Sequence, residues 1–269
     1  MIRAKRSRKA VKLLFVLATA WMIADRNNAQ SPPNGHSLKV LFVGNSYTYT
    51  DDIPWLTSYL ANSARNGRGL ETEMIAPPGI NLLKHWLNHE VAERLQEKKW
   101  DFVVLQEQSV TSLEHPGSMS AAVRLLQKEI EKAGAKTILF LTWPHRESPE
   151  NLAVITKNCY NVANDLGLSV APVGIVWANL LKANPSLQLY HSDGSHPGPI
   201  GSYAAACVFY SILFEKSPLG LSSDLYTAES SGGHRSAGKL SKADAELIQK
   251  TAWESVKAAV KPENPSVKF

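Results

Sequence analysis

Four short segments carry residues whose types could do chemistry together. Gly44-Asn45-Ser46-Tyr47-Thr48 offers a hydroxyl at a sharp turn, and Asp193-Gly194-Ser195-His196 offers a carboxylate and an imidazole three residues apart. Pro77-Pro78-Gly79 offers a backbone N–H beside a glycine, and Gln106-Glu107-Gln108-Ser109 offers side-chain amides. A serine hydroxyl is a poor nucleophile until an imidazole takes its proton, and the imidazole needs a carboxylate to fix its tautomer and stabilise its charged form. Asp193 and His196 can meet that need within a single turn, the carboxylate on the Nδ1 side while Nε2 points outward. Each segment also has an ordinary explanation: Ser46 as a cap or turn residue, Gly79 as a turn glycine, Asp193 and His196 as a surface pair at a helix start. Only their arrangement distinguishes the readings.

That arrangement depends on the elements between them. Residues 38 to 43 (LKVLFV) form a short, mostly apolar run, the pattern of a strand covered on both faces. Further strand candidates follow at 70 to 75, 101 to 106, 136 to 143 and 168 to 173. Helical patterns lie between and after them, at 53 to 67, 81 to 98, 118 to 134, 150 to 167, 202 to 214 and 241 to 260, several ending on glycine. The segment 217 to 239 reads as a loop. Strands alternating with helices of this length imply right-handed crossovers and a parallel sheet between two helical layers. Five strands predict the flavodoxin-like order 2-1-3-4-5, with any site at the carboxyl edge of the sheet. All four segments fall at that edge.

The chain order, serine early and Asp-x-x-His late, departs from the α/β-hydrolase pattern, and Thr48 stands where the second glycine of that fold's nucleophile elbow would be. The order and blocks instead resemble the SGNH (GDSL-like) hydrolases. The resemblance implies a three-layer α/β/α sandwich with a five-stranded parallel sheet, covering roughly residues 38 to 215. By similarity it gives Ser46 the nucleophile's role, His196 the general base's and Asp193 the orienting acid's, with Ser46 and Gly79 as backbone donors to an oxyanion hole. The family's Gly-Asp-Ser is Gly44-Asn45-Ser46 here, a change expected to affect local turn geometry. Its Gly-x-Asn-Asp is replaced by Gln106-Glu107-Gln108-Ser109, so the side-chain donor would be a glutamine, Gln108 by position, with Gln106 the alternative. Tyr47, Trp143, His145 and Gln106 are candidate substrate contacts.

Composition limits the partners. The chain has a net charge of +5, but residues 1 to 29 hold 7 Lys+Arg and 1 Asp+Glu, leaving 22 basic and 23 acidic residues, a net of −1. The excess of positive charge therefore belongs to the leader, and no basic, aromatic-interleaved patch points to nucleic acid. That leader has a basic start, an apolar run from Leu13 to Ala24 and a cleavage point after Ala29, the layout of a signal peptide. The run is too short for a comfortable permanent span, so a periplasmic or extracellular protein without a membrane span is expected. A linker at 30 to 37, one domain at 38 to 262 and a tail at 263 to 269 complete the organisation. Cys159 and Cys207 are too few for a disulfide scaffold. No cofactor is expected. Although His191, Asp193 and His196 could be imagined around a metal, the chain lacks a His-Glu-x-x-His helix or Cys-rich spacing. The leading expectation is an exported esterase for short acyl groups, acetyl foremost, on a small-molecule or glycan ester. A lipase or thioesterase of the same fold and an inactive glycan-binding homologue are the alternatives.

Overall fold

The computed structural model describes residues 37–64 and 68–260, so the signal-like leader and the tail of residues 263 to 269 lie outside the described residues. Strand β1 (Leu38–Val43) pairs in parallel with β2 (Leu70–Ile75) on one side and β3 (Phe102–Leu105) on the other. β4 (Lys136–Phe140) and β5 (Ser169–Ala171) complete a parallel sheet of order β2-β1-β3-β4-β5. The sheet order implied by the strand–helix alternation is the observed one.

The apolar run of β1 serves both faces because side chains alternate along a strand. Val40 and Phe42 pack with helices α2 (Ile53–Ser63), α8 (Val173–Ala183), α9 (Pro199–Phe214) and α10 (Lys242–Val260). Leu41 and Val43 point the other way, into the layer of α3 (Leu82–Leu87), α4 (Glu90–Glu97), α6 (Pro116–Lys132) and α7 (Asn151–Leu166). Two short helices, α1 (Ser46–Tyr49) and α5 (Ser109–Glu114), start at the carboxyl edge just after β1 and β3. Phe42 meets Phe209 of α9 edge-on at 5.0 Å, and burying an aromatic or aliphatic side chain of this size contributes about 1.5–3 kcal/mol. Cys159 and Cys207 are free and belong to the cores on opposite faces of the sheet, which keeps them apart.

Several elements differ from their sequence patterns. The helix expected over residues 81 to 98 is two, because α3 closes at Asn88 and His89 takes a left-handed φ of 59°. The fourth and fifth strands are shorter than expected, since Pro172 ends β5 and α8 follows at once. The stretch 217 to 239, read as a loop, contains an antiparallel hairpin of β6 (Asp224–Ala228) and β7 (His234–Lys239). β7 is almost wholly exposed and shows no apolar alternation. Aromatic docking holds the hairpin instead: His234 stacks on Trp55 of α2 at 3.6 Å and bonds Asp52 at 2.9 Å, while Tyr226 meets the same indole edge-on. No described helix is long and apolar enough to cross a membrane.

Candidate active site

At the end of β1 the chain must turn sharply inside the core, and Gly44 permits it. A Cβ there would lie 2.4 Å from Thr48 Oγ1 and 2.5 Å from Gln106 Oε1. Asn45, which is buried, uses its whole polar surface. Its N–H donates to Gln106 Oε1 at 2.9 Å, its Nδ2 donates to Ile80 O at 2.9 Å, and its Oδ1 accepts from Tyr47 N at 3.1 Å. The second bond ties the loop that holds Gly79 to the serine turn. An aspartate at position 45 would set a carboxylate oxygen against the Ile80 carbonyl, so the amide is the residue this turn can use. Beneath the turn, buried His85 donates its Nε2–H to Gly44 O at 2.8 Å, and burial lowers its pKa. Ser46 then opens α1, where its N–H has no intrahelical acceptor.

The opposing loop is a tight turn bridged between Tyr190 and Pro197, with His191 N–H donating to His196 O at 2.9 Å. Gly194 adopts a left-handed φ of 68°, which glycine reaches without a Cβ penalty. Asp193 Oδ1 accepts the N–H groups of Ser195 at 2.9 Å and His196 at 3.0 Å, while Oδ2 accepts His196 Nδ1–H at 2.6 Å. Partial burial pushes the Asp193 carboxyl up, but these backbone and imidazole donors outweigh it and hold the pKa at about 2. An ionised Asp193 fixes the proton on Nδ1 and leaves Nε2 as acceptor. That nitrogen stands 2.9 Å from Ser46 Oγ. The structure thus joins Ser46, His196 and Asp193, 150 residues apart at the wider gap, in one hydrogen-bonded line.

No protein-family model matches the chain, and no curated protein matches it in sequence. Solved structures do. A protein from Slackia heliotrinireducens assigned to the SGNH hydrolases is 26% identical, with a TM-score of 0.58 over 66% of this chain and 99% of its own. The chain is thus similar in fold, and at 26% identity in sequence, to the SGNH, or GDSL-like, hydrolases. Two further likenesses concern the fold. A DUF4886 family protein from Bacteroides uniformis shares 17% identity and a TM-score of 0.65 over 84% of this chain and 96% of its own. An acetyl xylan esterase, AlAXEase, shares 17% identity and a TM-score of 0.53 over 65% of this chain and 100% of its own.

The remaining candidate residues separate sharply. Gln106 is 1% exposed, its Oε1 accepting from Asn45 N and Thr48 Oγ1 and its Nε2 donating to Glu107 O. Its amide therefore builds the serine turn, with Oε1 taking two donors and an Nε2 hydrogen given to Glu107 O. Gln108 caps α5 with its Oε1, which accepts from Thr111 N at 2.8 Å and Thr111 Oγ1 at 3.1 Å, so its NH2 remains the unspent end. Gly79 is exposed at a φ of 63°.

Trp143 and Tyr47, expected to touch substrate, are core residues. Trp143 has no exposure, stacks on Trp177 at 3.8 Å and donates Nε1–H to Ser195 O at 2.9 Å. Tyr47 is 4% exposed and stacks on the other side of Trp143 at 5.0 Å, and burial raises its pKa. His145 alone of the four is exposed, and it lines a cleft of about 160 Å³ with Ser109, Val110, Leu113, Pro144, Ser148, Asn151 and Ile155. Among the described residues no group of three or more His, Cys, Asp or Glu is placed to hold a metal ion.

Nothing in the sequence singles out Glu107. Its Oε1 accepts the N–H groups of Gln108 at 2.7 Å and Leu82 at 3.1 Å, whereas Oε2 has no partner among the described residues. Burial pushes this carboxyl up to about 7, against the pull of those two N–H donors.

Proposed function

We propose that this protein is an exported serine esterase that removes short acyl groups, acetyl foremost, from carbohydrate esters. The observation that carries the reaction class is the line Ser46 Oγ–His196 Nε2–Asp193, with the imidazole proton fixed on the carboxylate side. Ser46 Oγ attacks the ester carbonyl as its proton passes to Nε2. The N–H groups of Ser46 and Gly79 and the NH2 of Gln108 are the proposed donors to the developing oxyanion, each worth on the order of 10²–10³ in rate. Collapse expels the alcohol, which takes the proton from His196 and leaves an acyl-serine. Water then attacks the acyl carbonyl, gives its proton to His196 Nε2, and the departing Ser46 oxygen takes that proton back. Asp193 stabilises the imidazolium in both halves.

The signal-like leader supports export, and the fold shared with an acetyl xylan esterase supports an acetylated sugar as substrate. The test is hydrolysis of a chromogenic acetate ester by wild type and Ser46→Ala, followed by an acyl chain-length series and acetylated xylan. The expected outcome is turnover that falls by about 10³-fold or more in the variant and declines with chain length. Equal rates in the two proteins would remove Ser46 as nucleophile.

A further inference from the structure

Two neighbouring rungs join the serine turn to the histidine loop. One is Ser46 Oγ to His196 Nε2 at 2.9 Å, and the other is the Tyr47 hydroxyl to Ser195 Oγ at 2.7 Å, between the next residue of one segment and the previous residue of the other. The first rung must break in every catalytic cycle. Once Ser46 is acylated, its Oγ is an ester oxygen without a proton and cannot donate to His196. The Asp193–His196 bond does not replace that tie, because both residues belong to the same loop and it fixes the ring only within the loop.

Beyond these bonds the serine turn reaches the histidine loop through the edge-on contact of the Tyr47 ring with His196 at 5.6 Å, which does not depend on either hydroxyl. The loop's other hydrogen bonds to neighbouring segments lead elsewhere. Trp143 Nε1 holds Ser195 O, His145 Nε2 lies 3.3 Å from Ser195 Oγ, Arg146 N–H donates to Gly194 O at 2.8 Å, and an Arg146 Nη donates to His191 O at 3.1 Å. All four tie the loop to the segment after β4. Tyr47 is the residue that ties it to the serine turn. It is also a stiff anchor, buried, stacked on Trp143 and bonded through its own N–H to Asn45 Oδ1.

We propose that the Tyr47–Ser195 hydrogen bond is a positioning latch that keeps His196 within reach of the acylated serine, so that deacylation depends on it more than acylation does. Acylation starts with both rungs in place, whereas deacylation starts with this one alone. The proposal rests on the serine-esterase reading.

Rapid mixing with nitrophenyl acetate separates the two halves, because nitrophenolate release reports acylation and the steady state that follows reports deacylation. In Tyr47→Phe, which retains the ring and its stacking, and in Ser195→Ala, the steady-state rate is expected to fall about 5- to 10-fold, the worth of one neutral hydrogen bond. Acylation should change by less than about 3-fold, giving a burst that approaches one nitrophenolate per active site. Ser195→Thr, which restores a hydroxyl, should return the partition toward wild type. The double variant should cost no more than either single one, since both remove the same bond. Equal losses in acylation and deacylation, or no change in either, would overturn the latch. Ser195→Ala removes one oxygen from a half-buried position and carries the test alone if Tyr47→Phe does not fold. A wild-type protein that releases no nitrophenolate and is not labelled at Ser46 by a fluorophosphonate would sink the esterase reading and the latch with it. An active, labelled wild type with an unchanged partition in the variants would sink the latch only.

Discussion

On one side of the Ser46–His196 hydrogen bond the supporting residues are buried, and on the other they stand in solvent. Asn45, Thr48, His85 and Gln106 are all at most 3% exposed, and their polar atoms bond backbone and side chains of β1, α3 and the segments after β2 and β3. Across the gap, the side chains of His196 and Asp193 are 34% and 48% exposed, and the bonds that set Asp193 against His196 lie within the loop itself. The serine turn is therefore part of the core and shares its stability. The histidine loop is a surface hairpin held by a few contacts, which lets the imidazole shift as its proton moves. Substitutions in the first region should show up as lost stability, and those in the second as lost rate.

The sharpest break of that contrast is Gln106→Ala. It strands Asn45 N–H, the Thr48 hydroxyl and Glu107 O in the core, and should cost about 3–5 kcal/mol in denaturant unfolding, from three lost partners at about 1–3 kcal/mol each and partial relaxation. A loss under about 1 kcal/mol would mean that the turn holds without its buried amide.

Next in size is Glu107→Gln, which tests a pH dependence. The folded carboxyl is near 7 while a free one is near 4.5, so across that window the folded chain keeps a proton that the unfolded chain has lost. The stability from this group is fully present below about 4.5 and is lost as pH rises through about 7, a swing on the order of 3 kcal/mol. Unfolding measured at about pH 5 and about pH 8 should show that decline in wild type and a flatter profile in the variant, which mimics the protonated acid. Equal slopes would reject the raised carboxyl.

The smallest structural effect belongs to Arg146→Ala. Its bond to the His191 carbonyl is exposed and the one to Tyr190 O is long, at 3.4 Å, so stability should change by about 0.5 kcal/mol. Ester turnover should nonetheless fall several-fold as the histidine loop loosens. A variant equally stable and equally active would show that the loop needs no pinning from this side.

The layered fold was legible because its signals are local. The expected bounds of β1 and β2 are those of the observed strands, and the strand–helix alternation carries the parallel order. Ser46, Asp193 and His196 were legible as a set because a nucleophile, a base and an acid constrain one another chemically. Gln106 was not, since a glutamine in a buried turn and one facing a substrate look alike in sequence, and its partners at Asn45 and Thr48 lie about 60 residues away. Tyr47 and Trp143 were misjudged for a related reason: being next to a reactive serine or at a strand's end says nothing of which way an aromatic ring points. The β6–β7 hairpin escaped because its strands are fixed by Trp55 and Asp52 of a distant segment, with no buried stripe of their own.

The anchoring of Asn45 also bears on how the protein ages. An asparagine followed by serine can lose its amide when the next residue's nitrogen closes onto the side-chain carbonyl, and asparagine is among the heat-labile residues. Here Oδ1 and Nδ2 are both held, and the backbone is extended at φ −145° and ψ −148°, so the folded turn shields its own amide from cyclisation. Heating that frays the turn removes the shield. The ring then opens to isoaspartate or aspartate, either of which sets a carboxylate in place of the amide that the Ile80 carbonyl needs, making the damage to the serine turn permanent after the rest of the sheet has recovered.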